Sequence, residues 1–120
     1  MNNYLKLITP LPNNYTQIVW QRKSDLSSIA TYLGQTNTEG SLNGEGQLMI
    51  SDIGTYEGLF KDNQFNGDGT FAWQNHGTTS ASTKKITSIS GTFTNNKIKV
   101  VSNAVENYCD FSDLILFLTD

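Results

Sequence analysis

The chain holds one cysteine, one histidine and two prolines in 120 residues, and each shortage excludes something. Cys109 alone cannot form an intrachain disulfide, so no oxidising compartment is implied. His76 alone confines any Ser-His-Asp or Cys-His site to its own surroundings, and one Cys with one His cannot make a standard zinc site. Pro10 and Pro12 both lie near the start, so nothing downstream forbids continuous sheet pairing. The longest apolar run, Leu114 to Leu118, is far too short to span a bilayer. The start lacks the basic and apolar regions of a signal peptide, and a cytoplasmic protein is the expectation.

Charge is scarce as well, at 16% of residues with a net of −3, but it is unevenly placed. Glu39, Glu45, Asp52, Glu57, Asp62 and Asp68 face the single base Lys61 across the middle of the chain. The sign then reverses at Lys84, Lys85, Lys97 and Lys99 and returns to acid at Glu106, Asp110, Asp113 and Asp120. An acidic middle disfavours nucleic acid and anionic lipid and suits a basic partner.

What is present is a repeat. Tyr32-Leu33-Gly34 followed by Asn43-Gly44-Glu45-Gly46 reproduces Tyr56-Glu57-Gly58 followed by Asn66-Gly67-Asp68-Gly69. A partial third copy, Ile89 to Ile98, aligns Gly91 with Gly58 and Phe93 with Phe60 but lacks the Gly-x-Gly. Repetition at so short a period means one supersecondary unit used again and again. Its second half, Lys97 to Val101, is a plain strand, so the array is expected to stop there.

Alternation in Tyr56 to Lys61 places Tyr56, Gly58 and Phe60 on one face and Glu57, Leu59 and Lys61 on the other. Asp62-Asn63-Gln64 supplies turn chemistry, and Gly69, Phe71 and Trp73 share a face on the return. Gly58 and Gly69 leave gaps into which neighbouring rings can lie flat, whereas Gly44 and Gly67 suit unusual backbone angles. The aromatic face of Tyr56, Phe60, Phe71 and Trp73 is expected to be core, packed under the terminal segment, with an open peptide groove as the alternative.

The flanks are read more coarsely. Residues 1–31 contribute two strands, Tyr4 to Ile8 and Tyr15 to Trp20, within a single domain of residues 1–120. Leu26, Ile29, Ala30 and Leu33 have helical spacing, but the repeat alignment requires Tyr32 to Gly34 to be extended. The repeats occupy 32–101 with a polar insertion at 74–85. Residues 102–120 form a cap, where Asn103 and Glu106 have capping-box spacing and a helix, or a helix followed by a strand at Leu114 to Leu118, would cover the sheet end.

On Tyr56, Gly58, Phe60, Asn63, Gly67, Gly69, Phe71 and Trp73, and on Tyr32, Gly34, Gly44, Gly46 and Leu48, the chain resembles the MORN repeat (membrane occupation and recognition nexus). Gly91 and Phe93 extend the likeness, which covers residues 32 to about 98. The resemblance implies a mainly β fold of stacked antiparallel hairpins in a twisted open sheet. It also implies a non-catalytic scaffold for protein contact. Phospholipid binding is a further use that it implies, against which the acidic repeats argue.

No phosphate-binding loop is present, because Gly-x-Gly here precedes a strand rather than a helix, and no cofactor is implied. Glu45 and Asp68 are repeat-equivalent and would stand about 10 Å apart if their strands are two apart. The expected function is therefore a protein-binding module, in sharper form an inhibitor or immunity-type protein for a basic enzyme. Its expected contact residues are Glu45, Glu57 and Asp68 on the acidic face with His76, Lys84 and Lys85 in the insertion. A lipid-associated scaffold and, last, a small hydrolase are the alternatives. The free edge of an open sheet also makes an edge-to-edge homodimer an expectation.

Overall fold

The computed structural model describes residues 4–74, 88–102 and 105–118. Nine strands follow one another in chain order, each antiparallel to the next. They are β1 (Tyr4–Pro10), β2 (Tyr15–Arg22), β3 (Ser28–Thr36), β4 (Leu42–Ile50), β5 (Gly54–Lys61), β6 (Gln64–Trp73), β7 (Ser88–Thr94), β8 (Lys97–Ser102) and β9 (Val105–Asp110). The sheet is an open ladder of hairpins with β1 and β9 at its edges. The alternative of a helix at 24–33 gives way to β3, whose pairing with β2 and β4 supplies a ladder that an isolated short helix would lack. The sheet, though not the repeat motif, continues past Val101, where β9 adds a further strand to β8.

Two of the hairpin turns are tighter than the sequence suggests. Asp62 and Asn63 have φ of 50° and 67°, and Asn95 and Asn96 have 49° and 71°. Two consecutive left-handed residues give a two-residue turn whose twist matches its strands. Gln64 is accordingly already in β6, which corrects the expected three-residue turn.

The second residue of each turn, an asparagine, also fastens its hairpin to the one before. Asn63 donates its N–H to the Leu42 carbonyl at 3.0 Å and accepts the Leu42 N–H on Oδ1 at 2.7 Å. Asn96 repeats both bonds on Phe65, at 3.0 and 2.7 Å. One asparagine thereby satisfies both main-chain groups of a residue in the first turn-proximal pair of the preceding unit's return strand. Asn96 is buried, and no buried side-chain N or O lacks a partner among the described residues.

The core lies on one face. Tyr32, Leu48, Tyr56, Phe65 and Phe71 are wholly buried there, and Leu42 and Phe93 nearly so. The Tyr56 ring stacks flat on Phe65 with centroids 3.9 Å apart and meets Phe60 and Phe93 edge-on at 5.0 Å. A methyl group on Gly46 or Gly69 would collide with the ring of Tyr32 or Tyr56 respectively, so these two positions must be bare. The aromatic face is thus core, and the open-groove alternative for it is excluded.

The covering segment differs from the expected one. Val105 to Asp110 is strand, and the helical spacing of Val105, Tyr108, Ser112 and Ile115 does not form a helix; Asn103 lies outside the described residues. After β9 the chain turns at Asp110, whose carboxylate accepts the N–H and Oγ–H of Ser112 at 2.9 and 2.6 Å. A 3-10 helix, Ser112–Leu118, then crosses the aromatic face as the helical cap, and the strand expected at Leu114 to Leu118 does not form. Phe111 packs on Phe71 at 4.7 Å and Phe93 at 5.7 Å, and Phe117 meets Trp20 at 5.1 Å. Trp20, which no repeat alignment places, is therefore buried under this strap.

Asn96→Ala should cost about 1–3 kcal/mol for the orphaned Phe65 N–H plus about 1 kcal/mol for left-handed backbone at a residue with a Cβ. Asn96→Gly should lose only the first part. Denaturant unfolding of both variants measures this, and an Asn96→Ala protein as stable as the parent would refute the clamp.

Candidate functional site

The other face of the sheet carries the odd-numbered side chains of β1 to β5 and stays uncovered by the strap. Register gives its rows directly. One runs Leu7, Val19, Thr31, Met49, Thr55, and the next runs Thr9, Gln17, Leu33, Gln47, Glu57, Thr70, Ser90. Leu7, Leu33, Met49 and Leu59 are between 37% and 50% exposed, an unusual concentration of apolar surface on strands β1 to β5. On β6 and β7 the face becomes polar: Thr70 and Ser90 share a hydroxyl hydrogen bond at 2.8 Å, and Thr92 donates to Asp68 at 3.1 Å.

The repeat motif builds the boundary between these halves. Three residues, Asn43-Gly44-Glu45, stand opposite the single residue Gln35, and Asn66-Gly67-Asp68 stand opposite Leu59. Each is a bulge that bends the strand and re-aims the side chain leaving it. Gly44 and Gly67 have φ of 99° and 108°, which L side chains rarely adopt. The lone opposing side chain folds over the glycine: Gln35 Oε1 accepts the Glu45 N–H at 2.9 Å, and Leu59 fills the space beside Gly67. On the far side of the sheet the tyrosines complete the arrangement. Tyr32 donates its hydroxyl to the Gln35 carbonyl at 2.6 Å, and Tyr56 donates to the Leu59 carbonyl at 2.8 Å.

The acid of each bulge therefore leaves from a point fixed on both faces. Glu45 and Asp68 flank Leu59, and Glu57 sits diagonally from both, at about 7–8 Å by strand geometry. All three carboxylates are exposed, and none forms an ion pair with a base among the described residues. Between them lies a shallow groove of about 550 Å³, floored by Tyr15, Leu33 and Leu59 and by bare backbone at Gly46 and Gly58.

The structure thus brings together Glu45, Glu57 and Asp68, while His76, Lys84 and Lys85 lie outside the described residues, as does most of the 74–85 insertion. It adds Tyr15, Leu33 and Leu59. The alternation of β5 already places Leu59 beside Glu57, but Tyr15 needs the β2–β3 register that sets it opposite Gln35. No group of three or more His, Cys, Asp or Glu among the described residues is arranged to hold a metal ion. No helix among them is long and apolar enough to cross a membrane. The chain matches no protein-family model and no curated protein sequence.

Burial raises both bulge-anchoring phenols. The Tyr56 hydroxyl is pushed up to about 12, first by desolvation and then by the Asp68 charge, against the opposing effect of its bond to Leu59. Tyr32 is raised further for the same leading reason. A pKa above its unfolded value near 10 gives stability that is whole below about pH 10 and is lost as pH climbs through the folded value. Phenolate absorbance should therefore show Tyr56 ionising together with loss of the sheet signal at about pH 12, with Tyr32 no earlier. Reversible ionisation of Tyr32 and Tyr56 near pH 10, with the sheet intact, would contradict the anchoring role.

Proposed function

We propose that the chain is a non-catalytic protein-binding module of MORN type that acts in the cytoplasm. Its open face would seat a basic partner protein, as an inhibitor or immunity-type protein does. The observation that carries this reading is the convergence of Glu45, Glu57 and Asp68, all unpaired with any described base, around the apolar floor of Tyr15, Leu33 and Leu59. Apolar centres with charged rims divide the work of binding. The buried centre holds the partner, and the rim steers its approach and rejects acidic competitors.

The same charges oppose a lipid headgroup role. A hydrolytic pair of Glu45 and Asp68 is also less well supported. Their two-strand separation of about 10 Å lies just beyond the roughly 6.5–9.5 Å used by inverting glycosidases, and the groove between them is open.

The test uses the immobilised chain to capture a partner, followed by titration of the purified pair. Three exposed ion pairs contribute about 0.5–1 kcal/mol each and become repulsive on reversal. Glu45→Lys, Glu57→Lys and Asp68→Lys together should therefore weaken binding at least about 100-fold, with most of the salt dependence gone. An unchanged affinity sinks the acidic-face reading. Sedimentation with anionic vesicles at low salt would instead support the lipid scaffold.

A further inference from the structure

β1 leaves one backbone edge without a neighbouring strand among the described residues. A single hydrogen bond identifies the groups that stand on that edge. Leu11 donates its N–H to the Tyr15 carbonyl at 2.9 Å, and these two residues continue the β1–β2 register beyond Pro10 and Thr16. Antiparallel ladders alternate, so the main chain of Leu5, Leu7 and Thr9 turns towards β2. Tyr4, Lys6, Ile8 and Pro10 turn outwards. Carried across β2 and β3, the same alternation points Ile29 at β4, where its carbonyl does accept the Ser51 N–H at 2.9 Å. Pro10, with no N–H to give, stands at an outward position and costs the β1–β2 ladder nothing.

Exposed edges are ordinarily blunted by charges, bulges or short length. β1 has seven residues, pairs with β2 without a register shift and carries one charge, Lys6. The Lys6 ammonium lies 6.0 Å from the Trp20 ring centroid, on its own sheet. Leu5, Leu7 and Ile8 are 37%, 50% and 57% exposed. The opposite edge is different. Phe111 donates its N–H to the Asn96 carbonyl, which by the same alternation turns Glu106, Tyr108 and Asp110 outwards on β9. Two β9 strands paired about Tyr108 would set Glu106 against Asp110 twice.

We propose that β1 pairs antiparallel with β1 of a second copy, about a two-fold axis through Leu7, so that two sheets become one. Outward residues must meet outward residues, which leaves few registers. Centring on Lys6 opposes two ammonium groups, and centring on Ile8 leaves part of each strand unpaired. Centring on Leu7 pairs all seven residues and sets Lys6 against Ile8 and Tyr4 against Pro10. It forms up to about six backbone hydrogen bonds between copies. Leu7 then meets its own copy in a non-hydrogen-bonded pair, the arrangement with the closest side chains, and the apolar row of the open face runs across the axis. The interface is isologous and closes at two copies.

Light scattering and sedimentation equilibrium of the full chain should give twice the 13.3 kDa chain mass. Leu7→Lys sets two like charges at the axis and should raise the dissociation constant at least about tenfold. Leu7 is exposed, so the variant keeps its fold, which circular dichroism verifies. Met49→Lys, on the same face but remote from the edge, should leave the dimer intact. In a Cys109→Ser background, mild oxidation should cross-link Leu7→Cys across the axis but not Lys6→Cys, which faces Ile8. The proposal is overturned by a monomer at every concentration, by a dimer indifferent to Leu7→Lys, by cross-linking through position 6, or by growth past two copies, which β1-to-β9 pairing would produce.

Discussion

Each repeat turns on a tyrosine ring laid against glycines whose missing side chains make room for it, with the hydroxyl bonded three residues along its own strand. Tyr32 reaches the Gln35 carbonyl over Gly34 and Gly46, and Tyr56 reaches the Leu59 carbonyl over Gly58 and Gly69. Burying a phenol without a partner would be costly, and leaving a carbonyl orphaned at a bulge would be too. Joining the two removes both penalties. It also fixes the bulge, and with it the place from which Glu45 or Asp68 leaves the opposite face. Core chemistry on one side of the sheet thus determines surface chemistry on the other.

Much of this was legible in the sequence. The alternation of Tyr56, Gly58 and Phe60 assigned the buried face, and repeat identity outweighed the helical spacing of Leu26, Ile29 and Ala30. Acids at equivalent repeat positions foretold a shared surface, and the structure places Glu45, Glu57 and Asp68 around one groove. Leu42 and Phe65 were less visible. Phe65 follows a reversal made by only two residues, Asp62 and Asn63, whereas Leu42 follows a five-residue connection at 37–41, so no common turn length marks the two positions. Equivalent positions Leu42, Phe65 and Ile98 are different residue types, so identity matching passes over them.

The chain after β8 departs from the sequence pattern for a related reason. Val105 to Asp110 contains too few apolar residues to show its period, and its strand state comes from pairing with β8 rather than from propensity. Ser112 to Leu118 is apolar enough to pass for strand or helix, yet it is held by the rings beneath it. Phe111 and Phe117 lie over opposite ends of the aromatic face, and no local rule specifies that placement.

The strap has a consequence for synthesis. Every hairpin joins sequence neighbours and can close within about 1–10 μs of its residues becoming available. The strap joins Phe117 to Trp20 and reaches the aromatic face only after all nine strands exist. At about 5–20 residues per second, the stretch from Tyr32 to Phe111 takes roughly 4–16 s to make. For those seconds a nascent sheet, already paired strand to strand, presents Trp20, Phe71 and Phe93, the rings the strap covers, to its surroundings. Its vulnerability to aggregation is therefore set by translation speed rather than by the stability of the finished molecule, and slow codons would be most costly between β6 and the strap.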